Sequence, residues 1–332
     1  MKATPKNRRH ALNLLMAGLV AGLVGRASPV RAQDTYPKQP IRFLVPYTAG
    51  SATDITARAL SEQLSKALKQ PIVIDNKPGA GGTLGAYQVA SAKADGYTVL
   101  IHSASHVANA ALYPGLKYDT LKDFTPITML ATLPNVLVTG TGRDFHTVQE
   151  LVQKAKAAPG TYTYASAGNG SATHLNAEKF RASVGINAIH VPFKGTPEAL
   201  TEVMAGRIDW FFAPLVSALP LIKSGRLVAL AVGTPKRSPV LPSVPTTLEA
   251  GFTGSDYTFW VGMFVPAKTP ADVVERIHAE TIKALKSDVV RERLETLGAE
   301  VAPMPQAQFA SLVNAETSDS AALIKKIGMK VD

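Results

Sequence analysis

The chain has 332 residues, with 35 Lys and Arg against 25 Asp and Glu, and it contains no cysteine. The first 32 residues hold six of the basic residues and no acid, so the rest of the chain carries a net charge of +4. A charge that small gives no case for nucleic-acid binding. Lack of cysteine excludes disulfides and a lipid-anchored cysteine, and the chain is long enough to be stabilised by a buried core.

Residues 1–32 are typical of an export signal. A basic start that includes Arg8 and Arg9 precedes an apolar stretch, Ala11–Gly25, which is short for a membrane-spanning helix. Small residues before position 33 predict cleavage after Ala32. The arginine pair leaves general secretion and twin-arginine export both open. We therefore expect an exported protein that resides in the periplasm.

Short apolar runs alternate with helical patterns along the remaining chain, which predicts an α/β fold with largely parallel sheets. The first strand covers Ile41–Val45 and the first helix about 53–68, where Ser51 and Asp54 resemble a capping box. Further strands are expected at 72–74, 97–101, 135–139, 162–165, 189–193, 209–212 and 227–232. Further helices are expected at 83–92, 148–157, 172–184, 197–205, 217–223, 270–285, 289–297 and 306–327.

The order of these elements indicates two α/β units, the first interrupted by the second and then resumed. The chain would cross between them at about 133–138 and return at about 252–260. We therefore expect lobe 1 to contain residues 33–135 and 258–332, and lobe 2 to contain residues 136–257. Two crossovers form a hinge, and the cleft between two such lobes is a common place for a ligand.

Two glycine-containing loops each lead from a strand into a helix, one over 46–54 and the other over 166–174. A helix N-terminus exposes backbone N–H groups without internal partners and carries about half a unit of positive charge. Glycine lets the backbone approach a ligand closely. The motifs Gly-x-Ser-x-Gly, Ser-x-x-Lys and His-Glu-x-x-His are not found. The two loops therefore predict capture of a small carboxylate and not an enzyme.

Seven segments carry a family resemblance through their order and spacing. They are Tyr36–Arg42, Val45–Tyr47 with Gly50 and Asp54, Asn76–Gly82 with Gly85, Asp95–Thr98, Tyr164–Ser171, His190–Gly195 and Ser217–Pro220. With them the chain resembles the Bug/TctC extracytoplasmic solute receptors, the binding components of tripartite tricarboxylate transporters. The resemblance spans all of the chain after residue 32.

The resemblance implies a two-lobed periplasmic-binding-protein fold, type II-like, that closes on a carboxylated small molecule. It implies delivery of the ligand to integral membrane permease subunits. Nothing in the sequence suggests more than a monomer, and we expect no cofactor. A ligand-sensing receptor for a sensor kinase of a two-component system is the alternative, and a periplasmic hydrolase is a further one. A genetic knockout separates transport from sensing, because uptake and induction are different phenotypes.

Position by position, the resemblance implies that two loops hold the ligand carboxylate, partly through ordered waters. On one lobe these positions are Tyr47, Thr48, Gly50, Ser51, Ala52, Thr53 and Asp54, and on the other they are Ser166, Ala167, Gly168, Asn169, Ser171 and His174. Ser103 joins them because it stands at the carboxyl end of a predicted strand. Ser51, Thr53 and Ser171 can also serve as N-caps, and Asp54 can serve as a partner of the helix dipole.

Two departures from the family pattern bear on the ligand. Ser51 stands where many members have a second glycine, and Phe212–Pro214 stands where many carry Phe-Asp-Asn. Without that carboxylate, a dicarboxylate or an aromatic carboxylate is favoured over an amino acid. Lys194 could pair with a distal carboxylate. Residues 257–260 could flank the far end of the ligand or pack at the hinge.

A metal site is not expected. His102 and His106 are four residues apart, but they follow a strand, and no acidic third ligand stands near them in the sequence.

Overall fold

A computed structural model describes residues 36–331, so the expected export signal and its cleavage site lie outside the described residues. The strands are β1 Ile41–Val45, β2 Ile72–Asn76, β3 Thr98–Ser103, β4 Phe124–Leu133, β5 Asn135–Gly140, β6 Thr163–Ser166, β7 Ile189–Pro192, β8 Trp210–Pro214, β9 Leu227–Val232, β10 Phe259–Pro266 and β11 Glu300–Val301. The helices are α1 Ala52–Leu68, α2 Thr83–Ala90, α3 Ser105–Leu112, α4 Val148–Ala157, α5 Ala172–Val184, α6 Thr196–Met204, α7 Leu215–Lys223, α8 Ala271–Leu285, α9 Asp288–Glu295 and α10 Gln306–Ile327.

Two sheets organise these elements. A six-stranded sheet has the order β11-β4-β10-β3-β1-β2, and a five-stranded sheet has the order β7-β6-β8-β5-β9. We call the first sheet with its helices lobe 1 and the second with its helices lobe 2. The expected two-lobed α/β fold is confirmed.

The sheets are mixed, so the expectation of largely parallel sheets was wrong. Strand β1 pairs in parallel with β2 and β3, whereas β10 pairs antiparallel with both β3 and β4. Neither β4 nor β10 was foreseen as a strand. Every residue of β10 is buried. Pro126 in β4 and Gly262 in β10 weaken the strand pattern in the sequence.

The chain passes between the lobes at two adjacent places. Strand β4 ends at Leu133 and β5 begins at Asn135, while the return lies between Val232 and Phe259. The Gly233 N–H donates to the Asn135 carbonyl at 2.8 Å, and the Tyr257 N–H donates to the Gly233 carbonyl at 2.7 Å. These bonds hold the two crossings side by side, which suits a hinge.

Each lobe has its own aromatic core. In lobe 2, Phe180 packs edge-on against Trp210 and Phe212, with ring centroids 5.9 and 5.2 Å away. In lobe 1, Phe264 packs against Phe309 of α10 at 5.4 Å. Two separately packed cores let the lobes move as rigid bodies. Within residues 36–331 we find no helix whose length and apolar character would suffice to cross a bilayer.

Candidate functional site

The N-termini of α1 and α5 face each other across the cleft and line a narrow cavity of about 20 Å³. Space of this size holds about one water molecule. The walls come from both lobes: Tyr47, Ser51, Ala52, Thr53, Ser103, Ala167, Ser171, Ala172, Thr173, Thr196, Pro214 and Phe259.

Free backbone donors surround this cavity. Among the described residues, the N–H groups of Ala52, Thr53, Ala172 and Thr173 have no hydrogen-bond acceptor. They belong to the first turns of two helices, where such donors are left without partners and the helix dipole is positive. A carboxylate between the two helices would accept from both lobes at once.

The serines that precede the two helices behave differently. The Ser171 hydroxyl caps α5 by accepting the His174 N–H at 3.3 Å. The Ser51 hydroxyl makes no such bond with the described residues of α1, and instead accepts the N–H of Thr196, in lobe 2, at 3.3 Å. The expected capping box of Ser51 and Asp54 was therefore wrong, because the hydroxyl turns towards the other lobe.

Asp54 holds the loop before α1 and lies outside both the cavity and the groove described below. Its buried carboxylate accepts hydrogen bonds from the Gly50 N–H at 2.9 Å and from Asn76 Nδ2 at 3.1 Å. It also pairs with Arg58, whose Nε donates at 2.9 Å. These three partners fix the negative charge away from the place where a ligand carboxylate would lie.

The loop before α5 is held by its own side chains. The N–H groups of Ala167 and Gly168 donate to Thr173 Oγ1 at 2.9 Å and to Ser166 Oγ at 3.1 Å. The Gly170 N–H donates to His174 Nδ1 at 3.2 Å. These three loop donors are therefore committed, whereas the donors at the start of the helix stay open to a ligand.

Two stacked histidines support this loop from beneath. The rings of His174 and His190 lie 3.7 Å apart, and His190 Nε2 is 2.7 Å from Ser166 Oγ. Burial lowers the pKa of His174 to about 3 and that of His190 to about 4. Both rings are therefore neutral near pH 7, which leaves His174 Nδ1 able to accept from Gly170.

A chain of hydroxyl groups fixes the lobe 1 wall of the cavity. The Tyr47 hydroxyl donates to the Gly81 carbonyl at 3.0 Å, and Ser105 Oγ lies 2.7 Å from the same hydroxyl and from Ser103 Oγ. Because the carbonyl can only accept, the phenol proton goes to Gly81 and the Ser105 hydroxyl donates to Tyr47. Burial raises the pKa of Tyr47, so the phenol stays protonated.

A wider groove of about 560 Å³ opens beside the cavity, and Tyr47 and Ala167 line both. Its remaining walls are Gly79, Ala80, Gly81, Gly82, Tyr113, Gly168, Asn169, Pro192, Phe193, Lys194 and Glu198. The sequence-based site did not include 79–82 or Tyr113. The signal was there, because 76–82 is a third glycine-rich loop that leads from a strand into a helix.

The groove contains one cation and one carboxylate. No carboxylate of the described residues pairs with the Lys194 ammonium, whereas Glu198 Oε2 accepts the backbone N–H of Lys194 at 3.0 Å. Glu198 thus closes the turn before α6, while the lysine side chain is free to meet a ligand.

The lobes touch at the floor of the groove. The Tyr113 hydroxyl donates to the Asn169 carbonyl at 2.8 Å. Gly81 approaches the same carbonyl so closely that a Cβ on Gly81 would overlap its oxygen. The structure is therefore a closed form, with little space between the two lobes at this place.

The structure brings together most of the predicted site residues. Those in the cavity wall are Tyr47, Ser51, Ala52, Thr53, Ser103, Ala167 and Ser171, and Gly168 and Asn169 lie in the groove wall. Those behind the walls, which hold the loops or the lobes, are Thr48, Gly50, Asp54, Ser166 and His174. A direct role of these residues in ligand binding stays a prediction.

The remaining side chains considered in the sequence analysis lie in different parts of the structure. Phe259 lines the cavity, whereas Trp260 is buried and donates from Nε1 to Glu316 Oε2 at 2.6 Å. His102 and His106 are fully buried, with ring centroids 5.2 Å apart.

Comparisons with known proteins agree on the family. The model of the tripartite tricarboxylate transporter family receptor, TctC, matches residues 56–329. The periplasmic binding protein BugD has a solved structure that superposes with a TM-score of 0.86 at 32% identity, covering 89% of this chain and 99% of that one.

Two further solved structures contain carboxylates. Rpa4515 of R. palustris, solved with adipate, superposes with a TM-score of 0.86 at 32% identity, covering 89% of this chain and 99% of that one. MatC from Rhodopseudomonas palustris, with bound malate, has a TM-score of 0.83 at 33% identity, covering 87% of this chain and 100% of that one.

Proposed function

Because the chain belongs to the Bug/TctC family of extracytoplasmic solute receptors, we propose that it captures a small carboxylate between its lobes and delivers it to a tripartite tricarboxylate transporter permease. The favoured ligands are dicarboxylates and aromatic carboxylates. Adipate and malate, found in two structural neighbours, support the dicarboxylate class.

One observation carries the proposal. The four free N–H donors of Ala52, Thr53, Ala172 and Thr173 face a single small cavity from two lobes. Donors from both lobes mean that a carboxylate there is bound fully only when the lobes are closed. Binding of the carboxylate therefore favours the closed form, as expected for a receptor that closes on its ligand.

The size of the cavity implies that the ligand enters an open form. Space for about one water is too small for a carboxylate group together with the carbon that bears it, so the helix N-termini must separate for entry and must lie farther apart in the bound form than they do here. After closure the body of the ligand extends into the groove, between Tyr113 and Phe193. A second anionic group on the ligand would then lie near Lys194.

The place of action and the lobe boundaries belong to the same proposal. Export through the segment 1–32 would bring the chain to the periplasm, as in the periplasmic neighbour BugD. Lobe 2 would contain residues 136–257, and the segments before and after it would form lobe 1. The crossings at 133–135 and 232–259 support this division.

A thermal-shift screen of residues 33–332 tests the proposal. The panel contains di- and tricarboxylates, aromatic acids, nicotinate and amino acids. We expect a rise in Tm with one class of carboxylate, since a ligand at 100 times its Kd stabilises the folded form by about 2.7 kcal/mol. A folded, ligand-free protein that responds to none of them would contradict the carboxylate assignment.

A further inference from the structure

The Ser51 hydroxyl connects the two lobes at the wall of the cavity. Ser51 is only 2% exposed, and its Oγ accepts the Thr196 N–H at 3.3 Å. Thr196 is the first residue of α6 in lobe 2, so the bond joins the loop before α1 to the start of another helix. Both residues line the small cavity.

A second bond between the lobes lies nearby and does not reach the cavity. The Ser217 hydroxyl of α7 donates to the Gly50 carbonyl at 3.1 Å, and Ser217 lines neither the cavity nor the groove. Between the two bonds the Gly195 backbone lies directly against lobe 1 side chains, because a Cβ on Gly195 would overlap Thr48 Oγ1. Two hydrogen bonds therefore cross the same contact between the lobes. Only the bond of Ser51 borders the cavity, where a ligand could reach it.

The geometry leaves the Ser51 proton available. A hydroxyl has one proton to donate and two lone pairs, and the Thr196 N–H occupies a lone pair. The other neighbouring acceptor, Thr48 Oγ1, is 3.5 Å away, at the limit of a hydrogen bond. A hydrogen bond to a carboxylate oxygen in the cavity would be shorter and roughly twice as strong as one to a neutral acceptor, because the carboxylate is charged.

We propose that the Ser51 hydroxyl couples ligand capture to lobe closure, by accepting the Thr196 N–H and donating its own proton to the bound carboxylate. Hydrogen bonds in such a chain polarise one another, so the ligand strengthens the bond between the lobes. The inference rests on the proposed function. It goes further by assigning this coupling to one side chain.

Ser51→Ala tests the coupling, with Ser217→Ala as the matched control. Both variants lose one bond between the lobes, but only Ser51→Ala also loses a donor to the ligand. Adipate and malate are the probes, measured by calorimetry for Kd and by stopped flow for the dissociation rate. We expect Ser51→Ala to weaken binding about 10- to 100-fold, mainly through faster dissociation, and Ser217→Ala to weaken it by less than about fivefold.

Closure without ligand is measured separately. Because the chain has no cysteine, Lys66→Cys in α1 and Lys156→Cys in α4 provide two unique labelling sites, one on each lobe. We expect the ligand-free Ser51→Ala protein to show a larger fraction of open molecules than the parent. Ser183→Ala, which removes only a hydroxyl bonded to the Phe180 carbonyl within α5, should leave that fraction unchanged.

The outcomes separate this inference from the proposed function. If the parent binds a probe and Ser51→Ala keeps the same Kd, dissociation rate and label distance within twofold, the coupling is wrong and the receptor function stands. If the parent binds neither probe nor any acid of the thermal-shift panel while Ser51→Ala still opens, donation to a carboxylate is overturned together with the proposed ligand class. The bond between the lobes would remain.

Discussion

The Asp54 carboxylate accepts the Gly50 N–H at 2.9 Å and so ties the first turn of α1 to the loop in front of it. Asp54 is 2% exposed and also binds Arg58 and Asn76. The negative charge therefore positions the loop of the site without facing the ligand. A site for anions can tolerate a buried carboxylate only where other groups neutralise it.

Asp54→Ala should cost about 2–4 kcal/mol of unfolding free energy, because it leaves buried donors on Gly50 and Asn76 without an acceptor. Carboxylate affinity should fall more than tenfold, since the loop that carries Ser51 loses its anchor. Urea denaturation and calorimetry measure the two effects. The control is Glu62→Ala, which breaks an exposed pair with Lys66 and should leave the stability nearly unchanged. Equal stability of the two variants would refute the anchoring role.

Gly81→Ala should block closure while leaving each lobe folded. The added methyl group would overlap the Asn169 carbonyl of the other lobe, and the φ of 60° at Gly81 costs roughly 1–2 kcal/mol for any other residue. We expect at least tenfold weaker ligand binding with only a small decrease in Tm. Gly115→Ala is the control, because a Cβ there meets no described atom within 4 Å. Normal binding by Gly81→Ala would show that closure needs no contact between these two residues.

Gly168→Val should likewise remove ligand binding and keep the fold. Gly168 has a φ of 121°, and its Cβ would lie 3.2 Å from the Phe193 carbonyl oxygen, so the loop would have to move. Calorimetry with the parent's ligand gives the affinity, and circular dichroism reports the fold. Binding of the parent's strength would place this loop outside the site.

Stability should fall in acid because buried histidines are neutral in the folded protein. Burial lowers the pKa of His106 and of His174 to about 3, from 6.5 when exposed, and lowers that of His102 well below 6.5. Between pH 6.5 and 3 the unfolded chain therefore binds more protons. His106 and His174 each remove about 1.4 kcal/mol of unfolding free energy per pH unit as the pH decreases through this window.

His106→Phe isolates one of these contributions. Both ring nitrogens of His106 lack partners within the described chain, and its ring packs against Phe124 and Phe264 at 4.7 and 4.8 Å. We expect unfolding free energy at pH 7 to be unchanged or about 1 kcal/mol higher. The acid slope between pH 6 and 4 should decrease by about 1.4 kcal/mol per unit. An identical slope in urea titrations would mean that His106 is protonated in the folded protein.

Lys194→Met should reduce the preference for dicarboxylates. An exposed ammonium without a carboxylate partner among the described residues gains a modest attraction from a distal anion, so adipate should bind roughly three- to tenfold more weakly. Hexanoate, which lacks the second carboxylate, should bind Lys194→Met and the parent equally. Glu198→Gln is the control for the neighbouring charge and should not weaken adipate binding. If Lys194→Met binds both adipate and hexanoate more weakly than the parent, the lysine supports the groove and does not contact the second carboxylate.

Residues that begin helices, glycines that end them and amphipathic helical patterns are all local signals in the sequence. The order of the elements they predict indicated the two-lobed fold. The sequence-based prediction missed β4 and β10, because Pro126 in β4 and Gly262 in β10 weaken the strand pattern. It also missed the helix α3 that begins at Ser105, because the polar residues 102–106 suggested the end of a strand. The direction of the Ser51 hydroxyl could not be predicted, since it depends on Thr196, 145 residues away in the chain. Contacts between lobes leave no local pattern.

The most direct measurement is calorimetric titration of residues 33–332 with adipate or malate and, in parallel, with the dimethyl ester of the same acid. Helix N-termini that bind a carboxylate need its charge, and the methyl ester removes that charge while keeping the carbonyl acceptor. We expect the acid to bind with a Kd in the micromolar range or tighter, about −8 kcal/mol or better, and the ester at least about 100-fold more weakly. Equal affinity for acid and ester would contradict a carboxylate site between α1 and α5.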